Sequence, residues 1–129
     1  MALNSRGVAF QDMGDYDRSI TDFTMAVKFN RDIAQIYYNR GNSYRSKQLY
    51  DKAISDYSHA IELKQDYVKA LNNRGFVCCK KGEYRKALAD FNRAIEIDPG
   101  FSNAYRGRKI AKEYLREKNK HQSRIIFTP

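Results

Sequence analysis

The hydrophobic positions of this chain fall at helical spacing, and that pattern itself recurs. Between Tyr16 and Phe29, the residues Ile20, Phe23, Ala26 and Val27 lie three or four apart, so they share one face of a helix. Polar and small residues recur with them at a period of 34. Ser5-Arg6-Gly7, Asn39-Arg40-Gly41 and Asn73-Arg74-Gly75 fall beneath one another. The pattern predicts three pairs of helices, over about 2–13 and 16–29, 34–47 and 50–63, and 68–81 and 84–97. Gly14 and Gly82 suit the turns inside the first and third pairs, since glycine takes positive φ without strain. Gln48 stands at the equivalent turn of the second pair and is strained there if the turn is left-handed. Asp15 is placed to cap the second helix. Asp98-Pro99-Gly100 is a stop signal, and Ser102 then reads as the cap of a seventh helix over about 103–118. Its Ala104, Tyr105, Ile110, Ala111 and Leu115 make part of an apolar stripe opposite a charged face. Residues 120–129 have no periodicity and are expected to form a mobile basic and apolar tail. Its Ile125, Ile126 and Phe127 would fold back or be ordered by a partner.

A fixed period of this length marks a repeat array, in which one helical hairpin cannot bury its apolar face alone. With Val68 as position 1 of a 34-residue unit, position 8 is Gly7, Gly41 and Gly75. Position 20 is Ser19, Ala53 and Ala87, and position 27 is Ala26, Ala60 and Ala94. Small residues at these sites let two antiparallel helices approach closely. Aromatic residues at position 17 (Tyr16, Tyr50, Tyr84) and position 24 (Phe23, Tyr57, Phe91) fill the space between them. Position 7 is always arginine and position 23 always aspartate. Early residues of the first helix face late residues of the second, so three ion pairs are expected: Arg6 with Asp22, Arg40 with Asp56, and Arg74 with Asp90. They would be structural.

These residues, with Leu3, Tyr37 and Leu71 at position 4 and Phe10 and Tyr44 at position 11, resemble the tetratricopeptide repeat family over about residues 1–101. Arginine at position 7 and Cys78 at position 11 depart from the family pattern, which has a large aliphatic and an aromatic there. The resemblance implies an all-α, right-handed α-solenoid of three antiparallel helix hairpins with a C-terminal capping helix. It would be one domain over 1–119, with units 1–33, 34–67 and 68–101 and a capping helix over 102–119. It also implies a concave groove lined by the first helix of each unit. In unit 1 the groove residues would be Asn4, Ser5, Val8, Gln11 and Asp12. In unit 2 they would be Gln35, Tyr38, Asn39, Asn42, Arg45 and Ser46, and in unit 3 Lys69, Asn72, Asn73, Phe76, Cys79 and Lys80. Asn103, Arg106 and Ile110 would continue the row.

The chemistry of that row suits a peptide. Five asparagines (Asn39, Asn42, Asn72, Asn73 and Asn103) can each donate and accept hydrogen bonds to an extended main chain. Arg45, Lys69, Lys80 and Arg106 favour acidic side chains or a C-terminal carboxylate. Tyr38 and Phe76 offer flat apolar contact. Asn39, Lys69 and Asn73 are the first choices for contacts. Some family members clamp the carboxylates at chaperone C-termini with five residues. The matching positions here are Asn4, Val8, Asn39, Lys69 and Asn73, of which only Asn39 and Lys69 carry the expected type.

Charge adds a second possibility. The net charge of +9 is unevenly distributed: residues 1–33 carry −1, 34–67 carry +1, 68–101 carry +3 and 102–129 carry +6. Arg106, Arg108, Lys109, Lys112, Arg116, Lys118, Lys120 and Arg124 could bind nucleic acid or another anionic surface, with strong salt dependence and little sequence preference. No nucleic-acid motif accompanies them. The two adjacent cysteines, Cys78 and Cys79, do not face each other on a helix and form no disulfide framework, as in a reducing compartment. Cys78 reads as a small core residue. No phosphate loop or nucleophile elbow is present, and His59 and His121 lack metal-ligand spacing, so neither an enzyme nor a cofactor is expected. No apolar run is long enough to span a bilayer, and the first residues lack a signal-peptide pattern, so a cytoplasmic protein is expected. The first helix has no capping element before it, and self-association through an apolar edge there is a further expectation.

Overall fold

Among the described residues seven helices follow in order: α1 (Ala2–Asp12), α2 (Tyr16–Phe29), α3 (Ala34–Ser46), α4 (Tyr50–Leu63), α5 (Val68–Lys80), α6 (Tyr84–Ile97) and α7 (Ser102–Phe127). The structure, a computed structural model, describes residues 2–127 and, of these, the side chains through 122. The first six helices match the predicted pairs to within a residue. The expected cap at Asp15 is present: its carboxylate accepts from the Arg18 N–H at 3.2 Å. Gly14 and Gly82 hold φ of 81° and 76°, and Gln48 is forced to 61°. At all three turns the next N–H closes back on the carbonyl five residues earlier, as Asp15 does to Phe10 at 2.8 Å. That bond satisfies a carbonyl the helix end would leave open.

Each hairpin is packed through its glycine. A Cβ on Gly7, Gly41 or Gly75 would stand 2.6, 2.9 or 2.7 Å from the ring of Phe23, Tyr57 or Phe91. Those rings are fully buried, together with Ser19, Ala53 and Ala87 and with Ala26, Ala60 and Ala94. The three expected ion pairs form, each with two bonds of 2.7–2.8 Å from guanidinium to carboxylate. The aspartates are buried throughout and Arg40 and Arg74 are partly buried, whereas Arg6 in the first hairpin is 61% exposed.

The same arginines also tie units together. Arg40 donates to Thr24 at 3.2 Å and Arg74 to Ser58 at 3.1 Å, each in the preceding hairpin. Lys47 pairs with Asp17 and Lys81 with Asp51 across the same two junctions. Successive first helices (α1, α3, α5, α7) touch one another, whereas α2, α4 and α6 do not. The stack therefore curves with α1, α3, α5 and α7 on its inner face.

Three expectations need correction. Ser102 is the first residue of α7 and not the residue before it, and α7 runs on to Phe127, past the expected end at 118–119. No glycine or proline interrupts it after Gly107, and a helical backbone continues without an apolar stripe. The side chains of Ile125, Ile126 and Phe127 lie outside the described residues. The edge of α1 is also less apolar than expected. Its exposed residues are Ala2, Ser5, Arg6, Ala9 and Asp12, with Met13 the one large apolar side chain beside them.

The 34-residue register carries into α7, with changes. Arg108 follows Arg74 and reaches Asn92 of the third unit at 3.5 Å, as the earlier arginines reach Thr24 and Ser58. But Lys109 stands where the three close-approach glycines stand, and Arg85 stands where Asp17 and Asp51 stand. A fourth hairpin is not completed.

Candidate peptide-binding groove

The inner face begins as a ladder of amides between neighbouring units. Asn39 Nδ2 donates to Asn4 Oδ1 at 3.2 Å, and the Asn39 main-chain carbonyl accepts from Gln11 Nε2 at 2.8 Å. Gln11 also reaches Ser43 Oγ at 2.8 Å, which in turn lies 2.7 Å from Ser19 Oγ. One unit on, Asn73 Nδ2 donates to both the Tyr38 hydroxyl (3.2 Å) and Asn42 Oδ1 (3.0 Å), and Asn42 accepts from the Tyr57 hydroxyl at 2.5 Å.

These bonds already occupy one end of the amide in three of the five asparagines expected to meet a main chain. Asn39 is only 8% exposed and Asn72 only 5%. Asn39, Asn42 and Asn73 each give one end of the amide to the protein and hold the units in register. Of the five, Asn103 alone is exposed. The sequence register locates these side chains correctly but does not reveal that they satisfy one another, because the bond runs between positions 35 residues apart in different units.

The aromatic side chains form the floor. The Tyr38 ring packs against Tyr57 and Tyr67, with centroids 6.0 and 5.0 Å apart. Tyr67 was not among the expected residues. It closes the loop before α5, and only its aromatic type between two polar residues and a helix start signals it. Burial raises both phenols, that of Tyr67 to about 12, and the Tyr57 hydroxyl is the one that donates, to Asn42. Phe76 meets Phe91 edge to face at 5.0 Å, and the Arg106 guanidinium lies 5.8 Å from the Phe76 centroid. A cation over a ring face is attracted by its quadrupole.

The charged positions form the rim. Arg45, Phe76 and Lys80 come together with Ser46, Gln48, Tyr50 and Val77 around a cleft of about 310 Å³ between the second and third units. Gln35, Lys69, Asn103 and Arg106 are exposed. Among the described residues, Arg45, Lys69, Lys80 and Arg106 take part in no ion pair, in contrast to Lys47, Lys81 and the three seam arginines. Cys78 is buried in the core, and burial, followed by the nearby Asp90 and Glu83 carboxylates, pushes its thiol up to about 11. Burial raises the Cys79 thiol as well. Among the described residues no three His, Cys, Asp or Glu side chains converge as metal ligands. No helix there is long and apolar enough to cross a membrane.

Solved structures with this architecture are numerous. The second tetratricopeptide repeat domain of human RPAP3, determined with the HSP70 peptide SGPTIEEVD, superposes with a TM-score of 0.82 at 29% identity, covering 85% of this chain and 92% of that one. The domain of Arabidopsis OM64 gives 0.85 at 24% identity, over 88% and 93%. That of Aspergillus fumigatus Sgt2 gives 0.87 at 23%, over 92% and 80%. No curated protein matches in sequence. The family model of the tetratricopeptide repeat matches residues 34–67 and 68–101. The first hairpin lies outside that match but repeats its glycine contact and its arginine–aspartate pair. With more than half its length matched and the same geometry in all three hairpins, the chain belongs to the tetratricopeptide repeat family.

Proposed function

We propose that this chain is a non-catalytic interaction module that holds an extended peptide, bearing acidic side chains or a free C-terminal carboxylate, against its inner face. The observation that supports this most is the unpaired positive rim of Arg45, Lys69, Lys80 and Arg106 around an aromatic floor. The likeness to the RPAP3 domain, which was solved with a peptide ending in acidic residues, adds to it. Recognition here would differ from the five-residue clamp. Of its positions only Lys69 is an exposed cation, and Asn39 and Asn73 are bonded to neighbouring units. The carboxylates would therefore be met by cations at the rim.

The test is fluorescence anisotropy with labelled SGPTIEEVD, as the free acid and as the C-terminal amide, against wild type and a Lys69→Ala/Arg106→Ala pair. Both substitutions lie on exposed side chains and leave the inter-unit bonds intact. Each lost charge contact is expected to weaken binding about fivefold, near 1 kcal/mol. Equal binding to the variant would overturn the reading. A competing single-stranded oligonucleotide that displaces the peptide only at low salt would instead assign the cations to nucleic acid.

A further inference from the structure

The seam arginines divide their guanidinium between two tasks. In Arg40 and Arg74, Nη1 donates to a hydroxyl of the preceding hairpin, Thr24 at 3.2 Å and Ser58 at 3.1 Å. Their Nε and Nη2 hold the aspartate of their own hairpin, Asp56 and Asp90, at 2.7–2.8 Å. Arg6 holds Asp22 with the same two nitrogens. Arg108 occupies this register position in α7. Its Nη1 reaches Asn92 of the third hairpin at 3.5 Å. Its guanidinium lies 5.1 Å from the Tyr105 ring centroid, as that of Arg40 lies 5.8 Å from Tyr37. The side chain is half-buried, yet among the described residues Nε and Nη2 meet no carboxylate. A fourth seam arginine is thus held in place without its aspartate.

The face around it is basic. Tyr105, Arg108, Lys109, Lys112, Glu113 and Arg116 follow at spacings of three and four and line an open hollow of about 440 Å³. Four cations stand there against one carboxylate, so two copies of α7 laid face to face would repel each other. In each complete hairpin the aspartate is followed by the ring that packs on the glycine: Asp22-Phe23, Asp56-Tyr57 and Asp90-Phe91. Lys109 replaces that glycine. A helix docked here can bring an aspartate to Arg108 but no ring beside it, and a second carboxylate suits the lysine instead. No two acidic residues are adjacent in this chain, so a second copy does not supply such a helix.

We propose that this face of α7 is a second interaction surface, separate from the groove, that docks an acidic helix of another protein in the place of the missing second helix of the last hairpin. An aspartate takes the Nε and Nη2 edge of Arg108, and its acidic neighbour meets Lys109. The helix runs antiparallel to α7, so acids one and two turns earlier meet Lys112 and Arg116. Two parallel bonds from one guanidinium fix the orientation of a carboxylate as well as attracting it, which a lysine ammonium does not do.

The probe is a labelled alanine-based helical peptide with an Asp-Glu pair and two glutamates one and two turns before it. A scramble of the same composition sets its acids on opposite sides of the helix. Fluorescence anisotropy is expected to show the scramble binding at least about tenfold more weakly, since only one acidic face can reach the row of cations. Arg108→Lys, which keeps the charge and loses the fork, should weaken the ordered peptide about tenfold. Lys112→Ala/Arg116→Ala, on exposed side chains outside the stack, should weaken it by about as much. Lys69→Ala/Arg106→Ala should bind it as wild type does, which separates this surface from the groove. Unchanged binding by Arg108→Lys or by Lys112→Ala/Arg116→Ala would overturn the proposal. So would a scramble, or a single-stranded oligonucleotide, that binds as tightly as the ordered peptide, since the face would then attract anions of any kind. Binding lost in Lys69→Ala/Arg106→Ala, or absent in wild type, would overturn it as well.

Discussion

Gln48 holds a φ of 61° at the turn where two glycines sit in the other hairpins. A side chain with a Cβ is crowded against the following carbonyl in that region, at about 1–2 kcal/mol per residue. Gln48→Gly relieves the strain but loosens the unfolded chain, so the net gain is about 0.5–1 kcal/mol. Urea unfolding should show a higher midpoint with the same slope. The seam aspartates behave oppositely. Asp56 is buried against Arg40, and removing the carboxylate leaves a largely buried guanidinium without its partner. Asp56→Ala should cost about 3–5 kcal/mol by the same measurement. Asp22 adds a pH dependence. Hydrogen bonds from Arg6 hold its carboxyl below the usual carboxylate range, which lies near 3.9 when unfolded. A carboxyl whose folded value is depressed contributes stability above the unfolded value and loses it as pH falls through the folded one. Melting temperatures of wild type should therefore drop as pH falls below about 4, and Asp22→Asn should start lower at pH 7 and fall less steeply.

At the scale of the element, α7 is held by its first half. Ala104, Gly107 and Ala111 are buried against the third hairpin, whereas every residue from Arg116 to Gln122 is exposed. Ending the chain after Asn119 should leave the melting temperature unchanged, while Gly107→Ala, which drives a methyl into Phe91, should cost about 1–3 kcal/mol. Hydrogen exchange along α7 would separate the two. The first six helices and their ends were legible because every signal for them is local: apolar spacing, a cap at Asp15, glycines at two turns. The length of α7 was not, since a polar helix with no stripe resembles a tail when only apolar spacing is followed. The seam ion pairs were legible because Arg and Asp recur together in all three units. The Asn39–Asn4 and Asn73–Tyr38 bonds were not. Their partners differ in type from unit to unit, and the pairing depends on how one hairpin stacks on the next.

At the scale of the whole molecule, stability resides in hairpins and in the junctions between them. Both junctions between complete hairpins use the same contacts: lysine to aspartate, arginine to hydroxyl, asparagine across to the previous unit. The third junction keeps the arginine, which reaches Asn92 from Arg108, and replaces the other two, with Arg85 opposite Leu115 in register and Gly107 for asparagine. Within the unit that α7 begins, Lys109 stands for the close-approach glycine. The groove is thus bounded on one side by a helix that copies the start of a unit without permitting its completion.

Lys109 therefore fixes where the protein could be lengthened. A duplicate of residues 34–67 spliced in between the second and third units meets compatible surfaces on both sides and would extend the inner face by one hairpin. A copy of α4 alone, joined after α7 to complete a fourth hairpin, meets a lysine where its ring must enter and finds no close-approach glycine to pack on. In the grammar of the array, α7 opens a word that its own lysine keeps from being finished.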